Sequence, residues 1–250
     1  MLNVLLSGAA GAMGKNVSAV AAAQNDIKIV AGVDRNEVSC GFPIFSDFAS
    51  VNLPLDVIID FSNVSALEKM LDYAEEKKIP VVIATTGYSD KQLERIKAAA
   101  KVIPIFKTAN FSLGVNVLIS LVKRAAAMMP GFDIEVVEKH HHNKLDAPSG
   151  TALMLADAAN AARGNELHFE FDRHSKRAKR DPKEIGVHSI RGGTIVGEHD
   201  VIFAGENEVI TLSHNAESRA VFAAGAISAA RFIVTKKAGL YNMNDLLGID

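Results

Sequence analysis

The sequence predicts an α/β fold of two domains, and three patterns along its 250 residues indicate this. Over roughly the first hundred residues, short apolar segments alternate with amphipathic segments of helical periodicity, which is typical of βαβ units and a parallel sheet. A glycine-rich turn separates the first strand from the first helix. From FDIEVVEKHHH onward, strand-like segments surround few helices, which indicates a second, more antiparallel domain.

The first part of the chain, up to about residue 129, is expected to contain five strands and four helices. Apolar segments of strand length predict the strands, which are NVLLSG, IKIVAGVD, DVIIDFS, PVVIATTG and KVIPIFKTANFS. Helical spacing, with capping residues in front of several segments, predicts helices at GKNVSAVAAAQ, SALEKMLDYAEEKK, SDKQLERIKAAAK and SLGVNVLISLVKRAAAMM. Ligands are expected at the carboxyl ends of such strands.

The second half is expected to hold strands with one clear helix that starts near Ser149. The strand-like segments are FDIEVVEKHHH, ELHFEFDR, GVHSIRGGTIVGEHDVIFAG and NEVITLSHNA, and ESRAVFAAGAISAARFIV is a helix that can return to the first domain. His188, His199 and His214 lie in the strand-like segments, where structural roles are expected. The charged segment 172–184 is expected to be a solvated, mobile loop.

Composition excludes several classes of protein. With 48% hydrophobic and 22% charged residues, the chain can bury a real core. A net charge of -2, no Trp and only three Tyr make nucleic acid an unexpected partner. One cysteine, Cys40, cannot form an internal disulfide, which favours a reducing, cytoplasmic location. No secretory signal or apolar run of about 18 residues is present, so no membrane association is expected.

The glycine-rich turn LLSGAAGAMGK is typical of dinucleotide binding. Gly8, Gly11 and Gly14 stand between the first strand and the first helix, where backbone amides and the helix amino end favour a pyrophosphate. The spacing is G-x-x-G-x-x-G, because Ala10 occupies the place of the second glycine in the commoner pattern. Tight packing alone is the alternative interpretation of such a turn.

Residues after the later strands complete this hypothesis. Asp34 ends the second strand, where an acidic side chain accepts hydrogen bonds from the adenosine ribose, or merely caps a loop. Arg35 beside it can hold a 2′-phosphate, so NADH and NADPH both remain open. The segments 84–89 and 108–112 follow later strands and can line the nicotinamide half of the cleft, or form ordinary turns.

The segment KHHHNKLDAPSGTA poses a choice between a metal site, a proton-transfer site and a charged loop. Neighbouring side chains of His140–His142 point to opposite faces of an extended chain, and neither HExxH nor CxxC spacing is present. No metal site is therefore expected.

A proton-transfer site explains the same segment without requiring adjacent histidines to converge on one metal ion. Imidazole titrates near neutral pH, Lys144 provides a second proton source, and Glu138 is available to orient a ring. Ser149 can cap the following helix, leaving the amides of Gly150 and Thr151 open to an anion such as a substrate carboxylate. The competing interpretation is a capped helix preceded by solvated charge.

The segment EKHHHNKLDAPSGTAL resembles the pattern E-x-H-H-x-x-K-x-D-x-P-S-G-T-A of the 4-hydroxy-tetrahydrodipicolinate reductase family, also called dihydrodipicolinate reductases. The resemblance extends in order over nearly the whole chain, through GAAGAMG, ATTGY, TANFSLGVN, SIRGGTIVGEHDVIF and LSHNAESRAVFAAGA. It implies an oxidoreductase that uses NADH and/or NADPH to reduce a cyclic dicarboxylate, 4-hydroxy-tetrahydrodipicolinate, in lysine and diaminopimelate biosynthesis.

The resemblance also implies the domain organisation. A Rossmann-like dinucleotide-binding domain would comprise residues 1–110 and 216–250. An inserted α+β domain of residues 111–215 would bind the substrate and form a homotetramer.

Carried over by motif, the resemblance implies roles for individual residues. His140 would be the principal acid/base, Lys144 the second proton donor, His141 a substrate contact, and Gly150 with Thr151 the clamp for a substrate carboxylate. The residues implied to contact the cofactor are Gly8, Ala9, Ala10, Gly11, Ala12, Met13, Asp34, Arg35, Ala84, Thr85, Thr86, Thr108, Ala109, Asn110 and Phe111.

The chain departs from the family pattern at several cofactor positions. Arg is common in the family at the positions of Ala12 and Lys15, Gly at that of Ala84, and Glu at that of Asp34, so the resemblance does not decide between NADH and NADPH. Two alternatives remain: another two-domain nicotinamide-dependent amino or imino acid dehydrogenase, and a nicotinamide-sensing regulatory protein without turnover.

Overall fold

The computed structural model describes residues 1–36 and 39–249, and the chain divides into two compact units. Unit 1 comprises Met1–Leu113 and Arg219–Asp250, and unit 2 comprises Gly114–Ser218. The breaks between the units follow residues 113 and 218. The sequence predicted domain boundaries three residues earlier in each case, after residues 110 and 215.

The described residues form twelve strands, seven α-helices and two short 3-10 helices, Phe48–Ser50 and Val64–Ala66. The strands are β1 (Leu2–Ser7), β2 (Ile27–Val33), β3 (Ile44–Phe45), β4 (Val57–Asp60), β5 (Val81–Ile83), β6 (Pro104–Lys107), β7 (Asp133–His140), β8 (His168–Glu170), β9 (Glu184–Arg191), β10 (Gly197–Ala204), β11 (Val209–Ala216) and β12 (Gly239–Tyr241). The helices are α1 (Ala12–Ala22), α2 (Leu67–Lys77), α3 (Asp90–Ala99), α4 (Leu113–Met128), α5 (Gly150–Ala162), α6 (Ala220–Ile233) and α7 (Met243–Leu247).

Unit 1 contains a seven-stranded sheet in the order β12-β6-β5-β4-β1-β2-β3, and every pairing is parallel. The chain runs outward from β1 to β2 and β3 on one side and to β4, β5 and β6 on the other. The strand order therefore reverses between β1 and β4, and ligands of open α/β sheets bind at the carboxyl ends of strands beside such a point. This confirms the predicted α/β, Rossmann-like fold.

The core of unit 1 lies on both faces of this sheet. Leu5 and Leu6 are fully buried neighbours on β1 that belong to different clusters, because successive strand residues point to opposite faces. Leu6 packs with residues of α1 and α6, including Val17 and Ile227. Leu5 packs with residues of α2 and α3, such as Met70. Helix α6, from the later part of the chain, is thus an integral part of this core.

Unit 2 contains a five-stranded sheet in the order β11-β10-β7-β9-β8. Strand β10 is antiparallel to β7 and β11, whereas β9 is parallel to β7 and β8, so the sheet is mixed and, as expected, more antiparallel than the sheet of unit 1. In β7 every second residue is buried, which places Glu138 and His140 on the same face as Ile134 and Val136.

The charged segment after β8 is mostly exposed, as the sequence indicated, but two of its arginines bind acidic residues of the strands. The Arg180 guanidinium donates hydrogen bonds to Glu135 (3.0 Å), Asp133 (2.8 Å) and the carbonyl oxygen of Ile134 (3.0 Å). Arg173 binds both carboxylate oxygens of Glu184, at 2.7 and 2.9 Å. Opposite charges supplied by the strands therefore hold the loop against the sheet.

Candidate functional site

The glycine-rich turn of unit 1 is so tight that side chains would not fit at two positions. Gly8 has φ +80°, and a Cβ there would lie 2.4 Å from the Phe61 carbonyl oxygen. A Cβ on Gly14 would lie 2.3 Å from the Gly8 carbonyl oxygen. Helix α1 starts directly after Gly11 without a side-chain cap, so the amides of its first turn are not occupied by a cap and can bind an anion.

Asp34 connects the glycine-rich turn to the end of β2. Its carboxylate accepts hydrogen bonds from the backbone amides of Ala10 and Asn36, both at 3.0 Å. A carboxylate has about four lone-pair sites, so these contacts leave it able to accept a ribose hydroxyl. Arg35, the next residue, is exposed.

Two cavities lie along the carboxyl ends of the unit 1 strands. The first, of about 430 Å³, opens where the strand order reverses and is lined by residues that include Gly8, Gly11, Asp34 and Arg35. The second, of about 390 Å³, is lined by residues that include 84–87. Residues 61–63 line both cavities, which therefore adjoin each other. We call these two cavities, along the ends of β2, β1, β4 and β5, the groove.

Other predicted cofactor residues lie behind the groove rather than in it. Ala9 and Phe111 are buried in the core, and Met13 packs against that core. The Phe111 ring contacts the rings of Phe61 and Phe106 at centroid distances of 6.1 and 5.9 Å. Such residues can approach a ligand only with their backbone or a side-chain edge.

The segment 108–112, after β6, forms a compact turn stabilised by its own polar groups. The Thr108 hydroxyl donates to the carbonyl oxygen of Asn110 at 3.2 Å, and the Asn110 side chain accepts the Ser112 amide at 2.8 Å. The backbone of this predicted cofactor segment is thereby fixed.

The carboxyl end of β4 holds an acidic residue that sequence reasoning missed. Asp60 is 1% exposed and accepts hydrogen bonds from the amide and hydroxyl of Ser62, and more weakly from the Tyr88 hydroxyl at 3.5 Å. Burial raises the pKa of Asp60. The side chain joins the loops after β4 and β5, which line the groove.

In unit 2, the carboxylate of Glu138 is the centre of the histidine-rich site. It is fully buried and receives two hydrogen bonds from Arg191 (2.8 and 2.7 Å), one from the Ser149 amide (3.1 Å), and a contact with His140 Nδ1 at 2.5 Å. Burial opposes its ionisation, but the hydrogen bonds from Arg191 and His140 outweigh burial and lower the pKa of Glu138 to about 2. Glu138 is therefore a carboxylate at neutral pH.

The predicted acid/base residue lies at the end of β7. The contact between Glu138 and Nδ1 of His140 fixes the imidazole ring and leaves Nε2 as the nitrogen available to a reacting group. His141 is half-buried, whereas His142 is exposed. Of the three adjacent histidines, His140 therefore contacts the Glu138 carboxylate.

Lys144 lies in the turn that follows these histidines. Its backbone amide donates to the carbonyl oxygen of His141 at 3.1 Å, and its Nζ lies 2.7 Å from an oxygen of Asp146. The ammonium group lowers the pKa of Asp146. A largely exposed carboxylate is a partner that a substrate carboxylate can replace.

Helix α5 begins with an open amino end. The Ser149 hydroxyl caps the helix by accepting the Ala152 amide at 3.1 Å, as the sequence predicted. Gly150 is exposed, and a Cβ there would have no neighbouring atom within 4 Å. This end of the helix has room for an anion, as the clamp hypothesis requires.

Sequence reasoning also missed two side chains of this cluster. Arg191 ends β9 and supplies the charge that balances Glu138, and its Nη2 also donates to the carbonyl oxygen of Asp146 at 2.6 Å. His199 lies on β10, with Nε2 3.0 Å from the Ser149 hydroxyl. The alternation in GEHDVIFA was an available signal, because His199 shares the buried face with Val201 and Phe203.

Within residues 1–36 and 39–249, no group of three or more His, Cys, Asp or Glu side chains is arranged to hold a metal ion. None of the helices in the same residues combines the length and apolar character needed to span a bilayer.

Family models describe both parts of this chain. The model for the N-terminus of dihydrodipicolinate reductase matches residues 2–111, and that for the C-terminus matches residues 114–247. The junction of the two matches coincides with the first break between units 1 and 2.

Individual proteins of the same name are similar over the full length. The 4-hydroxy-tetrahydrodipicolinate reductase of Caldanaerobacter subterraneus subsp. tengcongensis is 53% identical over 247 residues, covering 99% of this chain and 98% of that protein. The Clostridium botulinum reductase is 45% identical over 251 residues, with coverage of 100% and 99%. A solved dihydrodipicolinate reductase from Paenisporosarcina sp. TG-14, with dipicolinate bound, superimposes with a TM-score of 0.82 at 25% identity over 97% of each chain.

Proposed function

The chain belongs to the dihydrodipicolinate reductase family, and from that premise we propose which of its residues perform the reaction. The chain is an NADH- or NADPH-dependent oxidoreductase that reduces 4-hydroxy-tetrahydrodipicolinate to tetrahydrodipicolinate in lysine and diaminopimelate biosynthesis. The reduction adds a hydride and a proton to the substrate and releases its hydroxyl group as water.

Unit 1 is the proposed dinucleotide-binding domain. A bound nicotinamide nucleotide supplies the hydride. The close approach of backbone at Gly8 and Gly14 and the uncapped start of α1 fit a pyrophosphate, whose charge the helix amino end favours. Asp34 would accept hydrogen bonds from the adenosine ribose, and Arg35 is placed beside it. The groove continues to residues 84–86, which we assign to the nicotinamide half together with the backbone of residues 108–111.

Unit 2 is the proposed substrate-binding domain. The amides of Gly150 and Thr151 at the open end of α5 would bind one carboxylate of the substrate. Lys144 would exchange its contact with the exposed Asp146 for the substrate. His141 is assigned as a further substrate contact. These groups suit a dicarboxylate such as the dipicolinate of the Paenisporosarcina structure.

Proton donation is assigned to His140, with Lys144 as the second donor. The contact between the Glu138 carboxylate and Nδ1, at 2.5 Å, fixes the orientation of the imidazole, so that Nε2 can deliver the proton. Arg191 balances the charge of Glu138, which keeps Glu138 ionised at neutral pH. This buried Glu138–His140 contact is the single observation that carries the assignment.

Steady-state kinetics of substituted enzymes test these roles. His140→Gln should lower kcat by about 10²- to 10⁴-fold, the usual contribution of general acid catalysis, while leaving the dissociation constant of NADH unchanged. Lys144→Ala should lower kcat and raise the KM for the dicarboxylate. His142→Gln is the matched control, because His142 is an exposed neighbour of the same type. Wild-type turnover in His140→Gln would refute the assignment.

We also propose a homotetramer, supported by an exposed sheet edge in unit 2. Strand β11 is the terminal strand of its sheet and exposes the apolar side chains of Val209 and Ile210. Long exposed apolar edges are normally covered by another chain. Light scattering after size exclusion should give the mass of four chains, and Val209→Lys should reduce it. A cytoplasmic location remains a prediction, based on the single cysteine and the biosynthetic reaction.

A further inference from the structure

His199 occupies a core position in the middle of the unit 2 sheet. It pairs across the sheet with Glu138 on β7 and with His214 on β11, and only 4% of it is exposed. A polar ring at such a position is costly unless it is hydrogen-bonded. An apolar residue would satisfy packing alone, so the contacts of the ring indicate what it does.

The ring contacts both parts of the proposed catalytic cluster. His199 Nε2 lies 3.0 Å from the hydroxyl of Ser149, the 2%-exposed cap of α5. The same hydroxyl accepts the Ala152 amide at 3.1 Å, and the Ser149 amide donates to Glu138 at 3.1 Å. The ring of His199 also stands edge-on to that of His140, at 5.2 Å between centroids.

The bond to Ser149 is the anchor of this imidazole. The other ring nitrogen, Nδ1, is buried and has no hydrogen-bond partner among residues 1–36 and 39–249. Ser149 in turn immediately precedes Gly150 and Thr151. His199 therefore contacts Ser149, the residue that caps the start of α5.

We propose that His199 is a positioning residue. It holds Ser149, so that the first amides of α5 are preorganised for the substrate carboxylate, and its ring packs edge-on against the ring of His140. This inference rests on the proposed function, because it requires the α5 amides and His140 to act on the substrate. The sequence alone had indicated only a structural role for this histidine.

The protonation state of His199 suits this role. Burial and, to a smaller extent, the nearby His140 together lower the pKa of His199 to about 4. The titratable groups that face it are His140 and Glu138 on β7, His214 on β11, and Lys144 in the following turn; of these, Glu138 acts in the opposite direction. A neutral His199 adds no positive charge beside His140, which is free to carry the catalytic proton.

The test compares binding of dipicolinate to the NADH-loaded full chain by calorimetry, with steady-state kinetics on the same proteins. His199→Leu should raise the dissociation constant of dipicolinate and the KM for substrate by about tenfold, which is the usual effect of one lost hydrogen bond, while the KM for NADH stays unchanged. His199→Gln, whose amide can reach the Nε2 position, should restore binding to within about threefold. The Gln variant should also keep the pH profile of wild-type binding between about pH 5.5 and 8, since a neutral His199 does not titrate there.

Three further variants make the result decisive. His188→Gln, at a half-exposed histidine on β9 that contacts Glu135, is the control and should bind dipicolinate normally. Gly150→Pro tests the clamp itself, because it removes one of the proposed amide donors at a first-turn position that tolerates proline. If Gly150→Pro weakens binding and His199→Leu does not, the positioning role is wrong; if neither weakens binding, the proposed clamp is wrong and this inference fails with it. Should His199→Leu not fold, Ser149→Ala breaks the same bond, and wild-type affinity in that variant overturns the proposal.

Discussion

Replacing Glu138 by glutamine should destabilise unit 2 strongly, although the two side chains have nearly the same shape. The substitution leaves the Arg191 guanidinium partly buried without its counter-charge and removes the anionic partner of His140. Breaking a buried ion pair from one side typically costs about 3–5 kcal/mol. The free energy of unfolding at neutral pH is therefore expected to fall by an amount in this range.

The pKa of Glu138 gives an independent value, of similar size, for the stabilisation by this ion pair. The hydrogen bonds lower it from the ordinary value of 4.5 to about 2. At about 1.4 kcal/mol for each tenfold change in proton affinity, this difference corresponds to about 3 kcal/mol. Because the pKa is lower in the folded protein, the stabilisation is complete above about pH 4.5 and is lost as the pH falls through 2. The difference between wild type and variant should shrink over this interval.

Thermal and urea unfolding followed by circular dichroism measure both effects. At pH 7 the transition of Glu138→Gln should occur roughly 6–20 °C below that of wild type. Glu198→Gln is the matched control, since its partner Lys139 lies 2.9 Å away at a partly exposed site and such pairs contribute about 0–1 kcal/mol. Equal stability of Glu138→Gln and wild type at pH 7, or a difference that persists unchanged to pH 2, would contradict the reasoning.

Three further substitutions test other parts of the chain. Gly14→Ala should weaken NADH binding at least about tenfold in a fluorescence titration, because its Cβ would lie 2.3 Å from a carbonyl oxygen of the turn; Gly131→Ala, with nothing within 4 Å, should have no effect. Arg35→Ala should raise the KM for NADPH severalfold and leave that for NADH unchanged, since only NADPH carries a 2′-phosphate; equal effects on both would exclude this contact. Arg180→Ala should lower the free energy of unfolding by about 2–3 kcal/mol through its lost hydrogen bonds to strand residues, whereas Arg177→Ala, at an exposed position, should not.

The sequence predicted most of unit 1 because its strands and helices have clear hydrophobic periodicity. Buried runs such as VIID in β4 and the capped start of α3 at Ser89 correspond directly to the observed elements. The strands β3 and β12 contain only two and three residues, too few to show any period, and neither was predicted. The parallel pairing of β7 with β9 in unit 2 was not predicted either, because it depends on contacts between distant segments.

The same limit applies to the candidate site. The local segment around His140 and Lys144 could be recognised because its residues are close in sequence. Arg191 and His199 belong to the same cluster but lie more than fifty residues away from Glu138, a separation that only strand pairing closes. Sequence spacing predicted the helix cap at Ser149, whereas the alternation in β10 could indicate only that His199 is buried, not that it binds the cap.

The contribution of α6 to the core of unit 1 has a consequence for the order in which the protein is completed during translation. Residues 223–233 supply six fully buried side chains to the cluster that also contains β1 and β4. Every residue of unit 2 leaves the ribosome before this helix does. Strands β1 and β4 are synthesised early, but the face of their sheet that packs against α6 stays incompletely covered until unit 2 and then α6 have been synthesised.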